Sequence, residues 1–346
     1  MYPSIFSWCY TATWLFSALL AVEVTVNAAN SPPPSRLAPL KFANTSTLNV
    51  AYYETGPSNG SAVILVHGFP YSIDAFAPVV PLLREKGYRV VVPYLRGYGE
   101  TSFIHPSTAR SAEQAALGSD IIALMDAINI DKAIFAGYDW GTVAVNVAAA
   151  VWPERCNGHV AANSYLIQNR TTAWVPLSPD AEALRWYYYL FLTARGAAGL
   201  SSNPKNWART LWQKNSIGWE FSEEYLDITA TAFENPDYVD IVVNFYRNRL
   251  LYAPGDPRYT DLAALLDAQP PISVRSVTFD PENSVVFPPT NGSSTAQYFT
   301  GPRCHYVLPN VAENVPFQAP GLFASAVFAV DGLPVVGGDY VCQKEL

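Results

Sequence analysis

Ala136-Gly137-Tyr138-Asp139-Trp140-Gly141-Thr142-Val143 is the stretch on which the reading of this chain turns. Before it, Lys132 to Tyr138 is an apolar, β-branched run with the character of a strand buried on both faces, and after it Thr142 to Val151 carries helical spacing. Gly137 and Gly141 stand two positions either side of Asp139, and small flanks of this kind let a strand turn sharply into a helix with the central side chain exposed at the crest. The helix N-terminus behind that crest favours a negative charge. The plain alternative is that Asp139 simply caps the helix.

Outward from this turn, Ala62 to Val66, Tyr88 to Leu95 and Gly158 to Ser164 also read as buried strands, while Ile73 to Lys86 and Ser111 to Asn129 have helical spacing. Strands alternating with helices imply a mostly parallel sheet with helices on both faces. The alternation stops near Asn169 and resumes near Ser273, where Val274 to Phe279 and Cys304 to Leu308 are again strand-like. Residues 170–272 are helical in pattern and rich in Trp and Tyr, with the runs RWYYYLF, NWARTLW and VVNFYRNRL. They read as a helical lid inserted into one core formed by residues 29–169 and 273–346. Ligands of open α/β sheets bind at the carboxyl ends of strands, so an insertion leaving one of those ends would roof the site.

The chain has 346 residues, 50% of them hydrophobic, enough to bury a sizeable core. A net charge of -8 with only 21 Lys and Arg argues against a nucleic-acid surface. Residues 1–28 read as a secretory signal: the apolar run Ala12 to Val22 precedes the small residues of a cleavage site at Val26, Asn27 and Ala28. No Lys or Arg precedes Trp14, which leaves an uncleaved anchor as the alternative, although the run is short for a membrane span. Cleavage would leave no stable span and a secreted or lumenal protein. N-x-S/T sequons at Asn44, Asn59, Asn169 and Asn291 fit that route as glycosylation sites. Outside the signal lie Cys156, Cys304 and Cys342, too few for a disulfide framework but enough for one pair, such as Cys304 with Cys342. No His/Cys cluster has metal-ligand spacing, and neither a metal nor an organic cofactor is expected.

Val66-His67-Gly68-Phe69-Pro70, then Arg96-Gly97-Tyr98-Gly99, then Gly137-Tyr138-Asp139-Trp140-Gly141 follow one another at a spacing that resembles the α/β-hydrolase superfamily. Asp in place of Ser at the elbow resembles its epoxide hydrolase and haloalkane dehalogenase branch. The likeness spans nearly the whole mature chain and implies an α/β-hydrolase fold. It also implies that the backbone N–H groups of Phe69 and Trp140 form an anion hole at the substrate site. Epoxide hydrolases present two lid tyrosines as acids toward the epoxide oxygen. Trp186-Tyr187-Tyr188 and Asn244-Phe245-Tyr246-Arg247-Asn248 look like the segments that carry them, which makes Tyr187 and Tyr246 the pair.

The family's catalytic histidine has no counterpart. In the loop after the last strand, Leu308-Pro309-Asn310-Val311-Ala312-Glu313-Asn314, Glu313 takes its place. His67, His105, His159 and His305 all read as structural or exposed. For the acid that would orient a histidine, counting from the strand gives Glu282, and counting back from Pro288 gives Ser284. The expectation is therefore an atypical epoxide hydrolase acting on an apolar small molecule. Asp139, alone or with Glu313, serves as base or nucleophile, and water or an internal hydroxyl attacks, the latter closing a cyclic ether. The competing reading is a catalytically inactive small-molecule binding protein of the same fold. A conventional ester hydrolase is disfavoured, because an Asp elbow without histidine cannot reproduce Ser-type acyl transfer.

Overall fold

The computed structural model describes residues 33–335 together with Cys342 and Leu346. The signal read at residues 1–28 lies outside the described residues. Among the described residues nine strands form one sheet: β1 (Lys41–Asn44), β2 (Leu48–Thr55), β3 (Ala62–Val66), β4 (Arg89–Pro93), β5 (Ser102–Phe103), β6 (Ala133–Gly137), β7 (Cys156–Ala162), β8 (Ser276–Pro281) and β9 (Arg303–Leu308). Their spatial order is β1-β2-β4-β3-β6-β7-β8-β9, with β5 paired to β2. From β4 to β9 every neighbouring pair is parallel, whereas β1, β2 and β5 pair antiparallel.

Burial explains the parallel part. AVILV in β3 and AIFAG in β6 are buried at every position, as expected where helices cover both faces. The helices Gln114–Ala127 and Trp140–Val151 pack together, and Val80–Glu85 and Pro320–Gly332 meet each other. Each Val, Ile, Leu or Phe side chain enclosed this way contributes about 1.5–3 kcal/mol. Chain order reverses around β3, which has β4 on one side and β6 on the other. That is the kind of switch point at which α/β sheets open a crevice at their carboxyl ends.

The helix read over Ile73 to Lys86 is two elements, a 3-10 turn at Ile73–Phe76 and an α-helix at Val80–Glu85. Pro78 lies between them, and proline cannot supply the N–H an unbroken helix needs there. The N-terminal strands β1, β2 and β5 escaped the sequence reading. They are short or unevenly buried, so neither a continuous apolar run nor a clean alternation marks them.

Between β7 and β8 the chain is helical. RWYYYLF, NWARTLW and VVNFYRNRL fall in or across Trp186–Phe191, Pro204–Asn215 and Tyr238–Arg249. The last helix of the interval, Thr260–Asp267, packs against Gln114–Ala127 beside the sheet. Among the described residues no helix is long and apolar enough to cross a membrane.

Candidate active site

At the end of β6 the chain enters the helix Trp140–Val151 through Asp139, whose φ of 52° and ψ of -124° lie outside the ordinary regions for a residue with a side chain. Such strain persists only where neighbours enforce it. Two glycines do so by close approach. A Cβ on Gly141 would sit 1.9 Å from the Val66 carbonyl oxygen, and one on Gly68 would sit 2.4 Å from Asp139 Cβ. The tight bend thus brings the end of β3 against the end of β6 and holds the Asp139 carboxyl between them.

The Phe69 N–H donates to Asp139 Oδ1 at 2.6 Å, and the Trp140 backbone N–H also stabilises the carboxylate. These are the two donors expected to form the anion hole, and they hold Asp139 itself. Enclosure has the larger effect on its acidity: burial raises the Asp139 pKa to about 6, against the lowering by Phe69, Trp140 and the more distant Arg249 charge.

A cleft of about 310 Å³, counting its open mouth, is lined by Asp139, Glu313, Tyr187, Tyr71, Phe69 and Trp212 among others. The Phe69 ring stacks on Trp140 at 5.3 Å, and Trp140 stacks on Phe245 of the inserted helices at 3.9 Å. Tyr187 lies 6.5 Å from Phe69, ring centre to ring centre. Tyr246 is not among the residues lining the cleft; its ring lies 5.6 Å from Tyr187 and 5.8 Å from Phe69, almost wholly buried. Burial, and in both cases the Asp139 charge, raise the phenol pKa of Tyr187 and Tyr246 well above the usual value, so each stays a neutral donor.

Glu313 enters the same cleft from the loop after β9 and is 7% exposed. Its carboxyl is pushed up to about 8, first by burial and then by the Asp139 charge, with Ser284 and the Val286 N–H acting in the opposite direction. Of the two residues considered for the orienting position, Ser284 reaches it: its hydroxyl donates to Glu313 Oε1 at 2.5 Å. Glu282 is exposed, and its Oε2 accepts the Asn310 N–H at 2.9 Å, away from the cleft. Glu282 therefore takes no part in the arrangement around Glu313.

None of the histidines lines the cleft. His67 is fully buried, accepts the Leu95 N–H at Nε2 and so donates from Nδ1 to the Gly68 carbonyl, and burial pushes its pKa down to about 4. His159 is buried against Asn146 and pushed down to about 3. His305 lies among Asp280, Thr278 and Thr290, and His105 is exposed. Among the described residues no group of three or more His, Cys, Asp or Glu side chains could hold a metal ion. Cys304 and Cys342 are joined by a disulfide, and Cys156 is free and buried.

Among the cleft residues to which the sequence assigned no role, two aromatic ones stand out. Tyr71 follows directly on His67-Gly68-Phe69-Pro70, and the charges of Glu313 and Asp139 both act on its phenol. Trp212, within NWARTLW, stacks on Tyr71 at 5.4 Å and donates from Nε1 to the Pro70 carbonyl. The aromatic richness of the insertion was the available signal, but it did not distinguish packing from lining.

A family profile described as the alpha/beta hydrolase fold matches residues 61–267. A solved structure from Klebsiella pneumoniae, provisionally named an epoxide hydrolase, is 40% identical with a TM-score of 0.83, over 85% of this chain and 97% of that one. Epoxide hydrolase A of Mycobacterium tuberculosis is 28% identical over 169 residues, 47% of this chain and 50% of that protein. Epoxide hydrolase B of the same organism is 33% identical over 137 residues, 40% of this chain and 38% of that protein. The chain thus spans half or less of the length of these curated relatives. With its mostly parallel sheet, its acidic elbow and these likenesses, the chain belongs to the α/β-hydrolase fold family, in the epoxide hydrolase-like branch.

Proposed function

We propose that this protein opens the epoxide ring of an apolar small molecule by direct attack of an O–H group, with Asp139 as general base and Tyr187 and Tyr246 as donors to the ring oxygen. The observation that carries this reading is that the Asp139 carboxyl and the Tyr187 phenol line one aromatic cleft. In the reaction, the oxygen of water or of a substrate hydroxyl bonds to a ring carbon and loses its proton to Asp139. The C–O bond breaks with its electron pair on oxygen, which takes a hydrogen bond and then a proton from a phenol, and the proton gained by Asp139 passes back to that phenolate to restore the site. A pKa of about 6 leaves Asp139 largely ionised at neutral pH yet more basic than an ordinary carboxylate.

Direct attack is favoured over an ester on Asp139 by the state of Glu313. With a pKa of about 8 it is mostly protonated at neutral pH, a poor base for the water that would have to release such an ester. Asp139 and Glu313 then share the cleft with one proton between them. Two carboxylates close together do not both ionise cheaply.

We also assign the helices of residues 170–272 as the lid of this site, and the chain to the secretory pathway with glycans at its sequons. The Cys304–Cys342 disulfide supports an oxidising compartment, and Asn44, Asn59 and Asn291 are exposed.

The test is turnover of a panel of neutral aliphatic and aryl epoxides, with and without an internal hydroxyl, by wild type and Asp139→Asn. Diol or cyclic ether formed by wild type and lost in the variant supports the assignment. Equal rates in both, or none in wild type, overturn it.

A further inference from the structure

The loop after β8 holds a hydroxyl that bonds to Glu313, and its geometry fixes which way that hydroxyl points. The Phe287 N–H donates to Ser284 Oγ at 3.1 Å. With that acceptor position filled, the Ser284 proton is directed to Glu313 Oε1, 2.5 Å away, and Ser284 is itself 6% exposed. The loop is anchored at both ends. Arg185 of the insertion donates to the Val286 carbonyl at 2.9 Å, and Thr290 donates twice to the buried Asp280. A serine held this rigidly occupies the place where an acid would orient a histidine.

We propose that Ser284 is the positioning residue of the site: its hydroxyl holds the Glu313 carboxyl in place within the cleft that Glu313 shares with Asp139. The inference rests on Glu313 belonging to the reactive pair. The titratable groups that share the cleft with Glu313 are Asp139 from the elbow, Tyr71 from the loop after β3 and Tyr187 from the insertion. Asp139 opposes ionisation of Glu313, and Glu313 in turn raises the pKa of both phenols. Against these, the Ser284 O–H stabilises the anion. A hydrogen bond to a buried charge is worth enough to move a titration by about one to two pH units.

The experiment is an infrared titration of the Glu313 carboxyl in the substrate-free full chain, the band being assigned by its absence in Glu313→Gln. Ser284→Ala is expected to raise the Glu313 midpoint by about one to two pH units, and Ser284→Thr, which keeps the hydroxyl, to bring it back toward wild type. The matching limb of the kcat–pH profile is expected to move with it. A midpoint unchanged in Ser284→Ala overturns the proposal, as does one shifted equally in Ser284→Thr. Should Ser284→Ala fail to fold, Ser284→Cys, of similar size but a weak donor, takes its place with the same upward shift expected and the same unchanged midpoint as refutation. The titration needs no substrate, so a shifted midpoint supports the role of Ser284 even where epoxides fail to turn over, a result that counts against the reaction assigned above.

Discussion

Asp139 at the end of β6 and Glu313 after β9 line one cleft, and the charge of the first raises the pKa of the second. Burial raises both, while the Phe69 and Trp140 N–H groups pull Asp139 back to about 6 and the Asp139 charge helps hold Glu313 at about 8, so around neutrality the pair carries a single negative charge. A pair whose environments push its pKa values apart is the usual arrangement of a base beside an acid.

Stability is expected to fall as pH rises. Both carboxyls have pKa values above those of the unfolded chain, so each contribution is complete below the unfolded value and is lost as pH climbs through the folded one. The window runs from ordinary carboxylate values to about 6 for Asp139 and about 8 for Glu313. At about 1.4 kcal/mol per unit, the loss amounts to several kcal/mol. Urea denaturation between pH 5 and about pH 9 measures it, and Glu313→Gln should flatten the upper half of the curve.

Tyr187→Phe and Tyr246→Phe should each lower kcat on an epoxide by about 10- to 1,000-fold with a smaller effect on KM, since a lost proton donor matters mainly in the transition state. The rings touch within one cluster, so the double variant should lose less than the product of the two effects. Steady-state kinetics of the three variants decides this. A loss confined to Tyr246 would remove Tyr187 from the proposed donors.

Cys342→Ser, or reduction of the wild type, should destabilise the protein by up to about 4 kcal/mol, the chain-entropy value for a loop closed by this disulfide. Thermal unfolding with and without reductant measures it. The free Cys156 is buried and should resist thiol reagents until the chain unfolds.

Expression in a eukaryotic secretory host should give protein whose mass falls on treatment with an amide-cleaving glycosidase, through Asn44, Asn59 and Asn291. Asn169 should be modified least. It is half-buried, whereas the other three are exposed. Mass spectrometry of the tryptic peptides resolves the four positions.

The parallel half of the sheet was legible because strands such as β3 and β6 are apolar at every position, a pattern that burial on both faces imposes. The elbow was legible from its glycines, which close approach requires. The antiparallel strands were not, because their partial exposure mixes polar and apolar residues without strict alternation. At the site, Glu313 could be placed by its position after the last strand, yet Ser284 and Glu282 could not be separated by counting. Only the path of the loop turns one inward and the other to solvent. Tyr71 and Trp212 stayed hidden for a related reason: a sequence shows aromatic content, whereas lining depends on which ring faces the carboxylates.

The sharpest measurement is a single turnover on an epoxide in ¹⁸O-labelled water with enzyme in excess, followed by mass analysis of the peptide containing Asp139. If the attacking O–H group reacts directly, Asp139 stays unlabelled, and the product carries the isotope when water attacks and none when an internal hydroxyl does. Isotope in Asp139 would mean that an ester formed there and was hydrolysed, contradicting direct attack.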